Sequence, residues 1–231
     1  MPQQQNLTIP IAIVVAGALI AGALYFAGGG SGTTDGPTGT TDAKEIPKVT
    51  EADHILGDPN APIKIVEYTD LECPFCKQFH VTMKQIIDEY GKDGQVAWVV
   101  RNFPLAQLHP NAPKLAEAAE CVAELAGNAA YFTFLDDIFE QAPMNARFDM
   151  TKVTETAVRS GATASAFDTC YNSGKYKTKI ETEFNDAIAT GGQGTPHNII
   201  VTDDGQTIPL PGAQPYATIK SVLEAIISES N

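Results

Sequence analysis

Residues 68–80 read YTDLECPFCKQFH, so Cys73 and Cys76 stand three apart with Pro74 and Phe75 between them. Two thiols at that spacing suit three chemistries. They can close a small disulfide and exchange it with other thiols, supply half of a zinc site, or staple a turn. A structural zinc site needs four ligands, usually as two close pairs. His80 lies four past Cys76, but the other cysteines, Cys121 and Cys170, are isolated and no second C-x-x-C exists. A staple across so short a loop gains little closure entropy. The spacing therefore favours exchange chemistry, with a Cys73–Cys76 disulfide as the redox group and neither a metal nor another cofactor expected.

Such a pair needs an element that makes one sulfur an anion. IKIVEYT (63–69) is rich in β-branched and aromatic residues and reads as a buried strand. Beyond CPFC, apolar residues at Phe79, Met83, Ile86, Ile87 and Tyr90 recur at helical spacing, and Gly91 and Gly94 stop the helix. QVAWVVRNFPL (95–105) is a second strand, so the unit is βαβ with parallel pairing. Pro74 fits the first helical position, which puts Cys73 at the helix N-terminus. Unpaired N–H groups and the positive end of the dipole favour its thiolate there. A drop of about three pKa units would stabilise the reduced form by roughly 4 kcal/mol and make the disulfide a strong oxidant. Cys76, one turn in, would be the shielded partner that closes the ring.

Between the two β regions the pattern is helical. PKLAEAAECVAEL, YFTFLDDIFEQ, MTKVTETAVRSG and YKTKIETEFNDAIATGG carry helical periodicity, with breaks near Gly127, Gly161 and Gly174. HNIIVTDDGQTIPL (197–210) reads as two strands about an Asp-Gly turn, and YATIKSVLEAIISES (216–230) as a closing amphipathic helix.

The chain has 231 residues, a formal net charge of −13 and four cysteines. No basic cluster is present, which argues against nucleic acid as a partner. After a tail at 1–8, residues 9–27 (IPIAIVVAGALIAGALYFA) carry no charge. At about 1.5 Å per residue they match a bilayer core, and they read as an uncleaved membrane anchor, with a cleaved signal peptide as the other reading. Residues 28–48, rich in Gly, Thr and Ser, read as a flexible linker, and 49–231 as one domain.

GDPNAPIKIVEYTDLECPFC, GTP at 194–196 and the helical block between them carry a resemblance over residues 52–229. The chain resembles the DsbA-like thiol:disulfide oxidoreductases. The resemblance implies an α/β thioredoxin fold with a helical insertion at about 107–190, a catalytic pair Cys73 and Cys76, Glu67 buried beneath it, and a cis Pro196 preceded by Thr195 facing it. From the residues alone, Glu67 in an apolar strand is a partly buried acid with a raised pKa, able to move a proton at the inner sulfur; the alternative is an edge-strand glutamate facing water. Lys64 is either its partner or a solvated residue. Pro196 opening a strand is also compatible with a trans bond. His197 departs from many relatives: it either modulates the sulfurs or faces solvent. His54, His80 and His109 read as surface residues. Cys121 and Cys170 are either two buried thiols or a bridge closing a loop worth roughly 4 kcal/mol. The resemblance favours the bridge as a structural disulfide, and a structural disulfide places the domain outside the cytoplasm.

Three functions compete: an oxidase that introduces disulfides into exported proteins carrying free thiols, an isomerase or reductase for the same clients, and a membrane-tethered binding module with no chemistry. For the oxidase the resemblance implies a membrane-embedded reoxidising partner, DsbB-like or VKOR-like, with the catalytic domain in the periplasm or at the cell exterior.

Overall fold

The computed structural model describes residues 45–142 and 147–229 of the chain. The expected tail, the anchor at 9–27 and the linker up to residue 44 lie outside them. Among the described residues no helix is long and apolar enough to cross a membrane.

Five strands form one sheet in the order β1-β3-β2-β4-β5. β2 (Ile63–Thr69) and β3 (Val96–Asn102) pair in parallel at its centre, as a βαβ unit requires. β1 (His54–Leu56) runs antiparallel to β3, β4 (His197–Thr202) antiparallel to β2, and β5 (Thr207–Pro211) antiparallel to β4. The two central strands are almost continuously buried because both faces of the sheet are covered. One face carries Ile63, Ile65, Val96, Trp98 and Val100 into the larger core. The other carries Val66, Tyr68 and Val99 into a smaller one.

The helix after CPFC, α1 (Pro74–Ile86), turns its Phe79, Met83 and Ile86 into the larger core and ends in a wider π turn over Ile87–Gly91. The closing helix α7 (Tyr216–Glu229) adds Ile219 and Leu223 to that core. Between β3 and β4 come α2 (Ala112–Ala126), α3 (Asn128–Gln141), α4 (Val153–Arg159), α5 (Ala164–Ser173) and α6 (Lys177–Ala189). α2 to α5 extend the larger core, while α6 brings Phe184 and Ala187 to the smaller one.

Two elements escape the periodicity reading. β1 is three residues long, too short to show alternation. α5 buries only Phe167 and Cys170, so its apolar stripe is thin. β3 ends at Asn102, where Pro104 cannot supply a ladder N–H. Cys121 on α2 and Cys170 on α5 are joined by a disulfide, so the two-thiol reading does not hold.

One clamp holds the start of the domain to the sheet. Arg101 on β3 is 4% exposed. It donates to both oxygens of Asp53 at 2.7 and 3.2 Å, to the carbonyls of Pro47 and Lys48 at 3.1 and 3.2 Å, and to the Tyr68 hydroxyl at 3.1 Å.

Candidate active site

Cys73 caps α1, with Pro74 as its first residue. The Cys73 N–H donates to the Asp70 carbonyl at 3.0 Å, and the Lys77 N–H to the Cys73 carbonyl at 3.1 Å. Both cysteines are free thiols. Their environments divide them. The Cys73 thiol is pushed down to about 6, chiefly by a hydrogen bond from Cys76. Burial opposes this, and the Thr195 side chain and the N–H groups of Cys76 and Phe75 add to it. Burial pushes the Cys76 thiol well up, and the neighbouring Cys73 adds to that. At neutral pH one sulfur is a nucleophile and the other keeps its proton. The Asp70 N–H donates to Cys76 Sγ at 3.4 Å.

Facing Cys73 is the turn that carries the chain from α6 to β4. Gly191 takes φ 93° there, a left-handed conformation that glycine adopts without steric cost. A Cβ on Gly192 would stand 2.7 Å from the Ala187 carbonyl and 3.1 Å from the His197 ring. The Thr195–Pro196 peptide is cis. Cys73 Sγ lies 3.4 Å from the Thr195 carbonyl, to which it donates in its thiol form. CPFC and Thr195, 122 residues apart, thus meet at one end of the sheet.

Glu67 lies on β2, a central strand, and is 1% exposed, so the edge-strand reading does not hold. The indole N–H of Trp98 donates to its Oε2 at 2.9 Å. Burial raises its pKa from 4.5 to about 8, and hydrogen bonds from Thr69 and Trp98 pull the other way. Glu67 therefore holds a proton at neutral pH. Lys64 is not its partner: an odd spacing along a strand puts it on the opposite face, where its ammonium donates to the Ala61 carbonyl at 2.7 Å.

His197 neither lines the sulfurs nor stands free in solvent. Paired with Tyr68 across the sheet, it shares the face opposite Glu67. It is half-buried, 5.6 Å from the Tyr68 ring, with Nε2 3.1 Å from the Thr190 hydroxyl, and burial lowers its pKa. The other histidines are not plain surface residues either. His54 is buried against Tyr131 at 3.7 Å and bonds Glu120 at 3.1 Å. His80 is buried, bonds Asp136 at 2.6 Å and stands edge-on to Trp98.

His109 belongs to a group that the sequence reading missed. Buried Asp70 accepts from the Leu105 N–H at 2.7 Å, His109 Nδ1 at 2.9 Å and the Glu72 N–H at 2.8 Å. Glu72 accepts from the Asn111 N–H at 2.9 Å and its side-chain amide at 3.0 Å. Two carboxylates thus stitch the loop ahead of α2 to the turn that presents Cys73. The signal was present in TDLE, two acids directly before CPFC where a solvated turn has no use for a buried charge. Two large apolar side chains stay exposed here, Phe75 between the cysteines and Leu108 on the stitched loop.

Comparison with known proteins agrees with this geometry. A family model described as Thioredoxin matches residues 49–224. The structure is similar to that of Wolbachia pipientis alpha-DsbA1, with 26% identity over 78% of this chain and 94% of that one and a TM-score of 0.67. Pseudomonas aeruginosa DsbA2 gives 25% identity, 78% and 97% coverage and a TM-score of 0.64. BdbD from Bacillus subtilis, at 19% identity, shares the fold, with a TM-score of 0.67 over 79% of this chain and 96% of that one. Among curated proteins, 79 residues are 39% identical to the Na(+)/H(+) antiporter NhaA 3 of Salinispora tropica, or 34% of this chain and 12% of that protein. A 73-residue match to NhaA 1 of Mycolicibacterium gilvum, at 41% identity, covers 32% and 12%. The chain spans only about 12% of the length of these relatives. The family match runs through both β regions and the helices between them, and the chain belongs to the thioredoxin family, with the architecture of its DsbA-like members.

Proposed function

We propose that the chain is a thiol:disulfide oxidoreductase that introduces disulfides into exported proteins through Cys73 and Cys76. One observation carries this: a sulfur lowered to about 6 at a helix cap, 3.4 Å from the Thr195 carbonyl, beside a second sulfur that keeps its proton. A substrate thiolate attacks Cys73 Sγ of the oxidised pair, and the bond to Cys76 breaks. Cys76 leaves and takes a proton, for which Glu67 is the nearby store. The substrate's second thiolate then attacks the substrate sulfur in the mixed disulfide, and Cys73 departs as a stabilised thiolate. Two electrons pass from two substrate thiols to the pair. The Thr195 backbone, ahead of β4, suits pairing with an extended substrate segment. Exposed Phe75 and Leu108 suit an unfolded client. A membrane-embedded reoxidising partner, DsbB-like or VKOR-like, would restore the disulfide, with residues 9–27 anchoring the domain on the extracytoplasmic side.

Equilibration with glutathione tests the direction of electron flow. The oxidase reading expects a potential closer to about −120 mV than to about −270 mV; the lower value would make the chain a reductase. Recovery of activity from a scrambled two-disulfide substrate would instead identify an isomerase. Full function of Cys73→Ser in cells would leave only a binding module.

A further inference from the structure

Each opening of a Cys73–Cys76 disulfide puts negative charge on Cys76, which is 0% exposed. Glu67 is itself almost wholly buried, so the oxygen that carries its proton decides whether delivery succeeds. An indole nitrogen only donates, and Trp98 donates to Oε2 at 2.9 Å. A carboxylic acid holding such a donor on one oxygen presents that oxygen as its carbonyl and carries its proton on the other. Thr69, two residues along β2, shares the face of Glu67, and the Asp70 N–H next to it donates to Cys76 Sγ at 3.4 Å. The titratable groups around the carboxyl are Cys73 and Cys76 at the start of α1, His80 one turn further on against Trp98, and Tyr131 from α3.

We propose that Trp98 is a positioning residue for the proton step: by occupying Oε2 it holds the Glu67 hydroxyl, on Oε1, toward Thr69 and the Cys76 sulfur. This rests on the thiol–disulfide reading above. As the substrate sulfur bonds to Cys73, the Cys73–Cys76 bond breaks and its electron pair moves to Cys76 Sγ. The Thr69 hydroxyl gives that sulfur its proton and takes the one on Oε1. Glu67 is left as a carboxylate, held by the indole N–H, until water reprotonates it. The substrate thiolate supplies the only electron pair that enters.

Trp98 is the single tryptophan of the chain, so its fluorescence reports the carboxyl it touches. In the reduced full-length protein the emission is expected to titrate with a midpoint of about 8, and Glu67→Gln to abolish that transition. Trp98→Phe keeps a ring and deletes the donor. It is expected to raise the pH midpoint of disulfide opening by a small thiol by about one unit, because the lost bond favoured the ionised carboxyl. The midpoint for alkylation of Cys73 stays unchanged. An emission transition that survives Glu67→Gln, or a folded Trp98→Phe protein with the wild-type pH profile, overturns the proposal. Should Trp98→Phe fail to fold, the emission titration decides alone. A wild-type chain that exchanges no disulfides sinks the broader reading; one that exchanges them while Trp98→Phe leaves the profile unmoved sinks only this inference.

Discussion

Replacing Glu67 by Gln should change how stability responds to pH. Burial raises the Glu67 pKa from 4.5 to about 8. Below 4.5 the carboxyl is protonated in both folded and unfolded chains and costs nothing. Between 4.5 and 8 the unfolded chain releases the proton while the folded one keeps it, so unfolding gains ground with each pH unit. Above 8 both are ionised and the loss levels off. At about 1.4 kcal/mol per unit the whole fall is about 5 kcal/mol, a large part of a domain's typical stability of about 5–15 kcal/mol. Gln keeps the shape, can still accept from Trp98 and has no proton to lose. Urea unfolding of both proteins at pH 5, 7 and 9 measures the difference. A Cys73→Ser, Cys76→Ser background removes thiol titration and leaves Cys121–Cys170 as the one disulfide. The Glu67 protein should fall away from the Gln variant by several kcal/mol between pH 5 and pH 9. Parallel curves would refute the claim that this strand buries a protonated acid.

Alkylation of the reduced protein by iodoacetamide should follow the Cys73 thiolate, with a midpoint of about 6 and a rate about tenfold below its plateau one pH unit lower; Cys76 should resist labelling throughout. Cys121→Ala with Cys170→Ala opens a loop spanning 49 residues and should cost about 4 kcal/mol in denaturant unfolding while leaving the Cys73 midpoint in place. Asp70→Ala strands the Leu105 and Glu72 N–H groups and should cost about 2–4 kcal/mol, with slower exchange because the Cys73 turn loses its brace; exchange at the wild-type rate would show the brace to be irrelevant.

The βαβ unit, the cysteine spacing and the cap at Cys73 were legible because each is local: the strand, turn and helix signals lie between Ile63 and Asn102. The meeting of Thr195 with Cys73 was not local, and only the family resemblance supplied it. Histidine was where the residue-level reading failed. A lone His looks like surface until its neighbours are known, and the partners of His54, His80 and His109 lie 66, 56 and 39 positions away. The Lys64 alternative, left open from the residues alone, is one that strand alternation resolves. Counting residues along β2 separates Lys64 from Glu67, and the same rule makes Thr69 a neighbour of the acid.

The Arg101 fork has a mechanical consequence. A pull on the chain at Glu45 reaches the Pro47 and Lys48 carbonyls before it reaches β1. Those bonds and the Asp53 pair spring from one guanidinium rooted in a central strand, so the load is shared among them rather than peeling one contact at a time. Such a joint works as strain relief on a cable: a pull at Glu45 meets the Arg101 clamp before it can reach the turn that presents Cys73.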